Sequence, residues 1–316
     1  MLFLSTLLLS QSLTAGSCSS CGCSGWPSAQ DGCVTDWPSP WNIDFGGGYR
    51  NDKFKWSIAG IDQQPNVLSE LQWKDLRIAQ VGGKGSWVSC RNYALRFEAA
   101  YGQIYHGHVV DADYFSDDRQ DLFSLSRNNA GKGHVYDLSA AVGYRVTSTC
   151  ARFIATALAG YSQHAQYLHL YEGRQFFPSF FRIPGLHSTY TTQWYGPWAG
   201  VDFEARVERC AFIFGGFEWH MLAYRGHGRW NLRPDIGRFQ HKAYGMGYVA
   251  TLGGKWEIWN NWAIGVVGNY RNFRTRHGHE NLIYHDPEIG PIPVRLRFNQ
   301  AKWRVYSVSG TVSVRF

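Results

Sequence analysis

The chain has 316 residues, with 35 glycines, 14 tryptophans, an aromatic fraction of 16% and a mean hydropathy of −0.32. A polar chain so rich in aromatic residues and glycine excludes a helical bundle, because aromatic residues favour strands and glycine marks turns and close strand contacts. The net charge of +7 is modest, and no Lys/Arg run is dense enough to indicate nucleic-acid binding.

The chain begins with the features of an exported protein. Residues 2–9 are almost wholly apolar and small residues follow, which is typical of a secretory signal peptide, although the usual basic residues before the apolar run are missing. We predict a signal peptide over 1–17, a Cys-rich periplasmic segment over 18–40 and one membrane domain over 41–316. Acylation of Cys18, as in a lipoprotein, is an alternative. No apolar run reaches the about 20 residues of a membrane-spanning helix.

The seven cysteines indicate disulfide bonds rather than zinc, because disulfides persist outside the cytosol. An odd number leaves room for a bond between chains, and unrelated buried thiols are the alternative. The candidates for disulfide bonds are Cys18, Cys21, Cys23, Cys33, Cys90, Cys150 and Cys210. We predict no metal site and no cofactor.

From residue 41 onward apolar and polar residues alternate with the period of a β-strand. In "VYSVSGTVSVRF" (305–316), for example, Tyr306, Val308, Val312, Val314 and Phe316 share one face, while the serines, Thr311 and Arg315 share the other. Aromatic residues concentrate near the strand ends. The predicted strands span 43–60, 66–79, 91–107, 133–147, 150–164, 192–208, 210–225, 242–259, 262–275 and 299–316.

Alternation also occurs in soluble β-sandwiches, but the connections favour a membrane barrel. Tight turns are predicted near 146–149, 207–210 and 259–262, and long polar connections alternate with them. Short turns at one end and long loops at the other are typical of outer-membrane barrels. The predicted fold is an all-β, transmembrane, antiparallel up-and-down β-barrel of about ten strands in the bacterial outer membrane, with both termini periplasmic. The long loops are predicted over 105–133, 163–192, 225–241 and 274–299.

Charged residues of both signs are predicted to face the lumen. A ten-stranded barrel is only slightly wider than one that side chains fill completely. Opposite charges should therefore form a polar plug, which leaves narrow conductance at most. The inward-facing charges are predicted to be Arg96, Glu98, Asp137, Arg145, Arg152, Asp202, Glu204, Arg206, Glu218, Lys255, Glu257 and Arg271.

The outer rim is predicted to collect histidine and arginine. All twelve histidines are expected in the long loops or at the outer strand ends, either as ordinary polar residues or as a pH- or metal-sensitive rim. Arginine suits phosphate recognition, so Arg274 and Arg276 are candidates for lipopolysaccharide binding, with solubilising charge as the alternative. The other rim arginines are Arg225, Arg229, Arg233, Arg238 and Arg271.

The stretches "LSELQWK" (68–74) and "AYGQIYHGHVVDADY" (100–114) resemble the omptins, which are ten-stranded outer-membrane proteases. The resemblance follows the strand order over most of 41–316, with sparse identity. It implies that Asp111 and Asp113 match the omptin Asp-x-Asp of the second surface loop. The rest of this acidic run, to Asp121, is expected to be solvated loop.

The omptin resemblance fails at the other half of the catalytic site. Omptins place an Asp-x-His pair in the fourth long loop, whereas this loop reads "YRGHGRWNLRPD" (224–235). It offers His227 and Asp235 without that spacing, and Arg229 and Arg233 stand where acidic groups would be needed. Asp111, Asp113 and His227 are therefore only candidates for an omptin-like site, and we do not predict an enzyme.

The phrase "GRWNLRPD", the tryptophan-rich strands and the Cys-rich N-terminus resemble the outer-membrane proteins of Protochlamydia-like bacteria. That resemblance implies surface-exposed barrels, disulfide-linked envelopes and porin activity in at least one member. The predicted function is a structural or surface-interaction role, with a narrow porin as the alternative and an omptin-like endopeptidase as the second alternative. The expected partners are outer-membrane lipid, lipopolysaccharide, and disulfide-linked envelope proteins or further copies of the chain.

Overall fold

The computed structural model describes residues 40–146, 152–259 and 261–316. The predicted signal peptide over 1–17 and all but the last residue of the predicted Cys-rich segment lie outside these ranges. In the described part of the chain, no helix is long and apolar enough to cross a membrane. The only helical elements there are two single 3-10 turns, Ile61–Gln63 and Asp117–Arg119.

Antiparallel strands form almost all of the described chain. They are β1 (Trp41–Ile58), β2 (Ser69–Val88), β3 (Tyr93–Ser116), β4 (Gln120–Asn129), β5 (Gly133–Arg145), β6 (Phe153–Phe177), β7 (Phe181–Arg206), β8 (Ala211–Arg229), β9 (Arg238–Trp259), β10 (Trp262–Thr275), β11 (Gly278–Asp286) and β12 (Gly290–Arg315).

The sheet closes into a barrel because β1 pairs with both β2 and β12. Twelve strands fill ten positions around the wall. β4 and β5 lie end to end between β3 and β6, and β10 and β11 lie end to end between β9 and β12. The predicted all-β barrel with ten strand positions is therefore confirmed. The first residue of β1 and the last residue of the sequence meet at one end of the barrel, where the Trp41 amide donates to the Phe316 carbonyl at 3.0 Å.

The predicted long loops are largely wrong. The segment 163–192, expected as a loop, is filled by β6 up to Phe177 and by β7 from Phe181. In the acidic run, Asp111 and Asp113 lie on β3, whereas Asp117, Asp118 and Asp121 are exposed in or beside the turn that follows it, as expected for a solvated loop. Strands continue beyond the bilayer because each backbone group still finds a partner on the neighbouring strand, which loops would have to replace with water. The result is a wall much taller than the membrane.

The alternating pattern inverts as each strand leaves the bilayer. On β1, Phe45 and Tyr49 are exposed on the outer surface, and Arg50 is buried inside. A few residues further along β1, Phe54 is buried inside, and the adjacent Lys53 is exposed on the outer surface. A wall in lipid needs apolar residues outside, whereas a wall in water needs them inside. The inversion places the outer edge of the membrane-spanning part between Tyr49 and Lys53.

Below this level, ion pairs fill the lumen. Asp137 accepts from Arg50 Nη1 at 2.6 Å and from Arg271 Nη1 at 2.6 Å, and it contacts His164 Nδ1 at 2.7 Å. Most of the other such pairs cross the lumen between strands that are not neighbours in the wall. The other pairs are Arg96–Asp202, Arg96–Glu218, Lys84–Asp202, His220–Glu218, Lys255–Asp44, Arg315–Glu204 and Arg315–Glu257.

Above this charged layer, large aromatic side chains fill the barrel, which the sequence did not lead us to expect. Trp194 lies 5.8 Å from Phe273 and 6.3 Å from Trp303 between ring centroids. Trp303 in turn lies over the guanidinium groups of Arg50 and Arg271, so the two layers are in direct contact. The fully buried aromatic residues of this layer are Phe54, Trp73, Tyr190, Trp194, Tyr224, Phe273, Phe298 and Trp303.

The prediction that every histidine lies in a long loop or at an outer strand end is wrong for His164 and His220, which lie in the middle of β6 and β8. His164, His220 and His241 are buried inside the barrel. His164 and His220 belong to the charged layer, where each contacts a carboxylate. The sequence does not reveal this burial, because a polar residue that faces the charged lumen cannot be told there from a polar residue that faces water.

Candidate functional site at the barrel mouth

Asp111 and Asp113 lie near the outer end of β3 and face the interior. β3 and β2 change register around Arg77, and Gly107 on β3 has a positive φ of 157°. Beyond this irregularity Asp111 is paired with Leu71, which is fully buried. The bulge therefore turns the two carboxylates of the acidic run towards the inside of the mouth.

Burial is the main influence on the two carboxyl groups. It raises the pKa of Asp111 well above the usual value, and the neighbouring carboxylate of Asp113 adds to this rise. Burial also raises the pKa of Asp113. The hydroxyls of Ser69 and Ser124 donate hydrogen bonds to this carboxylate and lower its pKa, but by less than burial raises it. Asp111 Oδ1 is buried and has no hydrogen-bond partner among the described residues.

His227 does not join this pair. It lies on β8 with an exposed side chain, between Arg225 and Arg229, which are also exposed. The interior positions of this part of β8 are those of Tyr224, Gly226 and Gly228, which are buried. His227 therefore points out of the wall, whereas Asp111 and Asp113 point in. The candidate trio of Asp111, Asp113 and His227 is not assembled.

The inward positions on β8 have no room for a catalytic side chain. A Cβ on Gly226 would lie 2.2 Å from Tyr190 Oη, and one on Gly228 would lie 2.0 Å from Phe239 Cζ. Aromatic rings of the outer core thus occupy the space that a histidine on this strand would need.

A basic group faces the two carboxylates instead. Arg233, in the turn between β8 and β9, lowers the pKa of both Asp111 and Asp113 through its charge, against the larger effect of burial. Its guanidinium is held by Asp235 through Nη2 at 2.8 Å and Nε at 3.0 Å. The Asp235 carbonyl accepts from the His285 amide at 2.7 Å, which ties this turn to β11.

Beneath the mouth lies a buried polar chain that sequence reasoning missed. Tyr190 Oη lies 2.7 Å from Tyr224 Oη and 2.6 Å from His241 Nδ1. His241 Nε2 is hydrogen-bonded to Glu280. Four strands, β7, β8, β9 and β11, are joined by this chain. The signal available in the sequence was the inversion of the alternating pattern, which places Tyr190 and Tyr224 inside.

Arg274 and Arg276 are exposed on the outer surface of the barrel. They line a cavity of about 790 Å³ together with Arg119 and Arg297. Arg274 is paired across the sheet with Lys302. Burial, and then the charges of Arg304, Arg274 and Lys55, lower the pKa of Lys302. The basic groups here repel one another.

This basic surface lies directly above a row of tyrosines. Tyr248, Tyr270 and Tyr306 are in contact, with centroid distances of 5.8 Å and 4.9 Å. Tyrosine is enriched at the level of lipid headgroups. We define the basic belt as Lys53, Lys55, Arg274, Arg276, Lys302 and Arg304.

Of the candidate disulfide cysteines, Cys90 and Cys210 fall in the described part of the chain. Cys90 lies in the turn between β2 and β3, and Cys210 lies in the turn between β7 and β8. Both turns are at the end of the barrel where Trp41 and Phe316 meet. Cys18, Cys21, Cys23, Cys33 and Cys150 lie outside the described residues. Over 40–146, 152–259 and 261–316, no group of three or more His, Cys, Asp or Glu could hold a metal ion.

Known proteins match this fold and this sequence in different ways. The family model of the Protochlamydia outer membrane protein matches residues 44–316. The crystal structure of the outer membrane protease OmpT from Escherichia coli matches with a TM-score of 0.75 and 13% identity, over 90% of this chain and 99% of that one. At this identity the likeness establishes the fold alone.

More distant barrels match with lower scores. The outer membrane protein OprG from Pseudomonas aeruginosa matches with a TM-score of 0.36 and 11% identity, over 88% of this chain and 98% of that one. The translocator domain of autotransporter NalP from Neisseria meningitidis has a TM-score of 0.38 and 9% identity, over 89% and 90% of the two chains. No curated protein matches the sequence.

Proposed function

The chain belongs to the Protochlamydia outer membrane protein family, and we propose that it is a closed barrel of the outer membrane with a structural or surface-interaction role. The observation that carries this proposal is the filled interior. Ion pairs occupy the membrane-spanning layer, and eight fully buried aromatic side chains occupy the layer above it. A solute would have to pass both layers.

The space left in the charged layer is small. Two cavities of about 140 and 120 Å³ are lined by residues such as Asp44, Lys84, Arg96 and Lys255. They have room for a few water molecules. The aromatic layer above packs rings at centroid distances of 4.6 to 6.3 Å. This arrangement supports the closed barrel over the narrow porin, which is the alternative.

Conductance across a planar bilayer tests the closed barrel. We expect the wild-type protein to give no stable single-channel steps. The variant Trp194→Ala, which opens the centre of the aromatic layer, should also give no stable steps, because the ion pairs of the charged layer remain in series, provided that it retains the heat-modifiable gel mobility of a folded barrel. Stable steps from the wild-type protein would contradict the proposal and favour the porin, whatever the variant does.

We further propose that the periplasmic end is cross-linked by disulfide bonds, within the chain or to envelope partners. The shared location of Cys90 and Cys210 at the end of the barrel where Trp41 and Phe316 meet supports this, because disulfides persist in the periplasm. A non-reducing gel of membranes tests the proposal. We expect reducing agent to convert a compact monomer or an oligomer into an ordinary monomer, and an unchanged mobility would contradict it.

A specific observation favours a second activity, binding of lipopolysaccharide phosphates by the basic belt. Six basic side chains lie above a tyrosine row, and the pKa of Lys302 is lowered by burial and then by the charges of its cationic neighbours. A bound phosphate would relieve that repulsion, and arginine suits phosphate geometrically. We expect Arg274→Gln with Arg276→Gln to weaken lipopolysaccharide binding, whereas Arg295→Gln, an exposed arginine elsewhere on β12, should not.

The endopeptidase alternative gains no support from the mouth. Asp111 and Asp113 face Arg233, and His227 points away from them. A general base must lie within hydrogen-bond reach of the proton that it accepts. If purified protein cleaved peptides at dibasic sites and Asp111→Ala abolished the cleavage, the protease would replace the closed barrel as the proposed function.

A further inference from the structure

The hairpin of β6 and β7 ends far from the membrane of its own barrel. On β6 the exposed apolar surface ends near Tyr161, and Gln163 is the next outward residue. The strand continues to Phe177. At about 3.3 Å per residue and a tilt of about 40°, this stretch rises about 35 Å along the barrel axis. The tip cannot touch the bilayer that holds the barrel.

This distant tip is nevertheless apolar. It reads "QFFPSFF" (175–181), and its four phenylalanines are all exposed, from 41% for Phe177 to 68% for Phe180. Phe176 and Phe180 are in contact at 5.5 Å between centroids, so they form one surface. A single exposed apolar residue is ordinary, but a cluster on a hairpin tip marks a surface that contacts something apolar.

A row of arginines lies immediately behind the phenylalanines. Arg174 is paired directly with Arg182 on β7 and with Arg127 on β4, and all three side chains are exposed. Like charges directly opposite each other destabilise a sheet. In the described part of the chain none of the three has an ion-pair partner. The row therefore costs stability in the free protein, and an anionic ligand would recover it.

The nearest carboxylates are engaged elsewhere. Glu172, on the same strand, accepts from Asn129 at 3.3 Å. On the neighbouring hairpin, Asp117 and Asp118 accept from Asn66 at 2.6 Å and 2.8 Å. Asp121 there accepts from Ser116. None of these carboxylates forms an ion pair with the arginine row.

We propose that this hairpin tip docks onto an anionic phospholipid bilayer opposite the one that holds the barrel. Phe176 lies two residues beyond Arg174 on β6, so these two side chains share a strand face, and Phe180 lies two residues before Arg182, in the turn that leads into β7. Two residues along a strand span about 7 Å. That spacing matches an apolar group inserted about 5–10 Å into the headgroup–acyl boundary with a cation at the phosphates. Arginine recognises the phosphates, and phenylalanine enters the acyl boundary.

Vesicle flotation tests the proposal with the full protein held in nanodiscs of phosphatidylcholine. We expect the nanodiscs to float with vesicles that contain phosphatidylglycerol and not with vesicles of phosphatidylcholine alone. Arg174→Gln with Arg182→Gln should weaken binding by about fivefold for each arginine and make it less sensitive to salt. Phe176→Ser with Phe180→Ser should lower binding at every salt concentration.

Matched variants separate the tip from the rest of the surface. Ile289→Ser removes an exposed apolar residue from the turn between β11 and β12, and Arg295→Gln removes an exposed arginine from β12. Both should bind like the wild-type protein. The proposal is overturned if the wild-type protein does not float, if it binds uncharged vesicles equally well, or if the phenylalanine variant binds normally. Pairing of nanodiscs without vesicles would also overturn it, in favour of contact between two copies.

Discussion

Gly228 explains at the level of one residue why the omptin resemblance ends at this strand. The absence of Asp-x-His could be read from the sequence, and the outward direction of His227 agrees with it. The steric reason could not be read from the sequence, because it is a contact between strands: Phe239 on β9 fills the interior position beside Gly228. Contacts between strands depend on register, which the alternating pattern fixes only to within two residues.

Gly228→Ala should destabilise the barrel by about 1–3 kcal/mol, the usual cost of overpacking a core. The added Cβ would lie 2.0 Å from the ring of Phe239. Urea unfolding followed by gel mobility measures the change. Gly254→Ala is the matched control, since its Cβ would find its nearest neighbour at 3.7 Å. Equal stability of the two variants would show that Phe239 moves aside freely.

Asp111→Asn should stabilise the folded protein at neutral pH, by on the order of 1 kcal/mol, the ordinary scale of a single substitution. Burial and Asp113 raise the pKa of Asp111 in the folded state. A carboxyl group whose pKa is raised on folding contributes fully to stability at a pH below its pKa in the unfolded state. This contribution is lost as the pH rises through its pKa in the folded state.

The difference between Asp111→Asn and the wild-type protein should therefore vanish in acid, below the ordinary carboxyl pKa of about 4. Urea midpoints measured across this range test it. Asp62→Asn, at an exposed carboxylate, serves as the control. A stabilisation that persists unchanged in acid would mean that the ionised carboxylate is not its cause.

At the scale of the strand, alternation predicted the ten wall positions and the outward aromatic residues of the membrane-spanning part. It failed above the membrane because period 2 shows which residues share a face but not which face is inside. β12 makes this clear. Lys302, Arg304 and Tyr306 all face outward, whereas Trp303 faces inward and is buried. The outward residue changes from aromatic at Tyr306 to basic at Arg304. Recognising this change would have predicted that aromatic residues fill the interior beyond it.

Tyr190→Phe should cost about 1–3 kcal/mol, because it leaves His241 Nδ1 and Tyr224 Oη without their buried partner. The ring packing is kept, so the loss reports the hydrogen bonds that join β7 to β8 and β9. Hydrogen exchange should quicken in the outer parts of these strands before their membrane-spanning parts. Tyr244→Phe, at an exposed tyrosine on β9, is the control and should change neither measurement.

At the scale of the whole molecule, the barrel combines two ways of filling a wall. Inside the bilayer the outside must be apolar, so the lumen collects the polar residues, and charges of both signs pair there. Above the bilayer the outside meets water, and the interior can pack like the core of a soluble protein. The predicted plug of charges describes the first layer, while the second layer closes the barrel independently.

Asp137→Ala separates the two layers experimentally. The substitution leaves Arg271 and His164 without the carboxylate between them and removes one of the two partners of Arg50. Losing one member of a buried ion-pair cluster costs about 3–5 kcal/mol, so the urea midpoint should fall clearly. The variant should still give no stable conductance steps, because the rings of Trp194 and Trp303 remain in series with the opened charges. Glu288→Gln, on the exposed turn after β11, should alter neither property, and steady conductance from Asp137→Ala would show that the charged layer alone keeps the lumen closed.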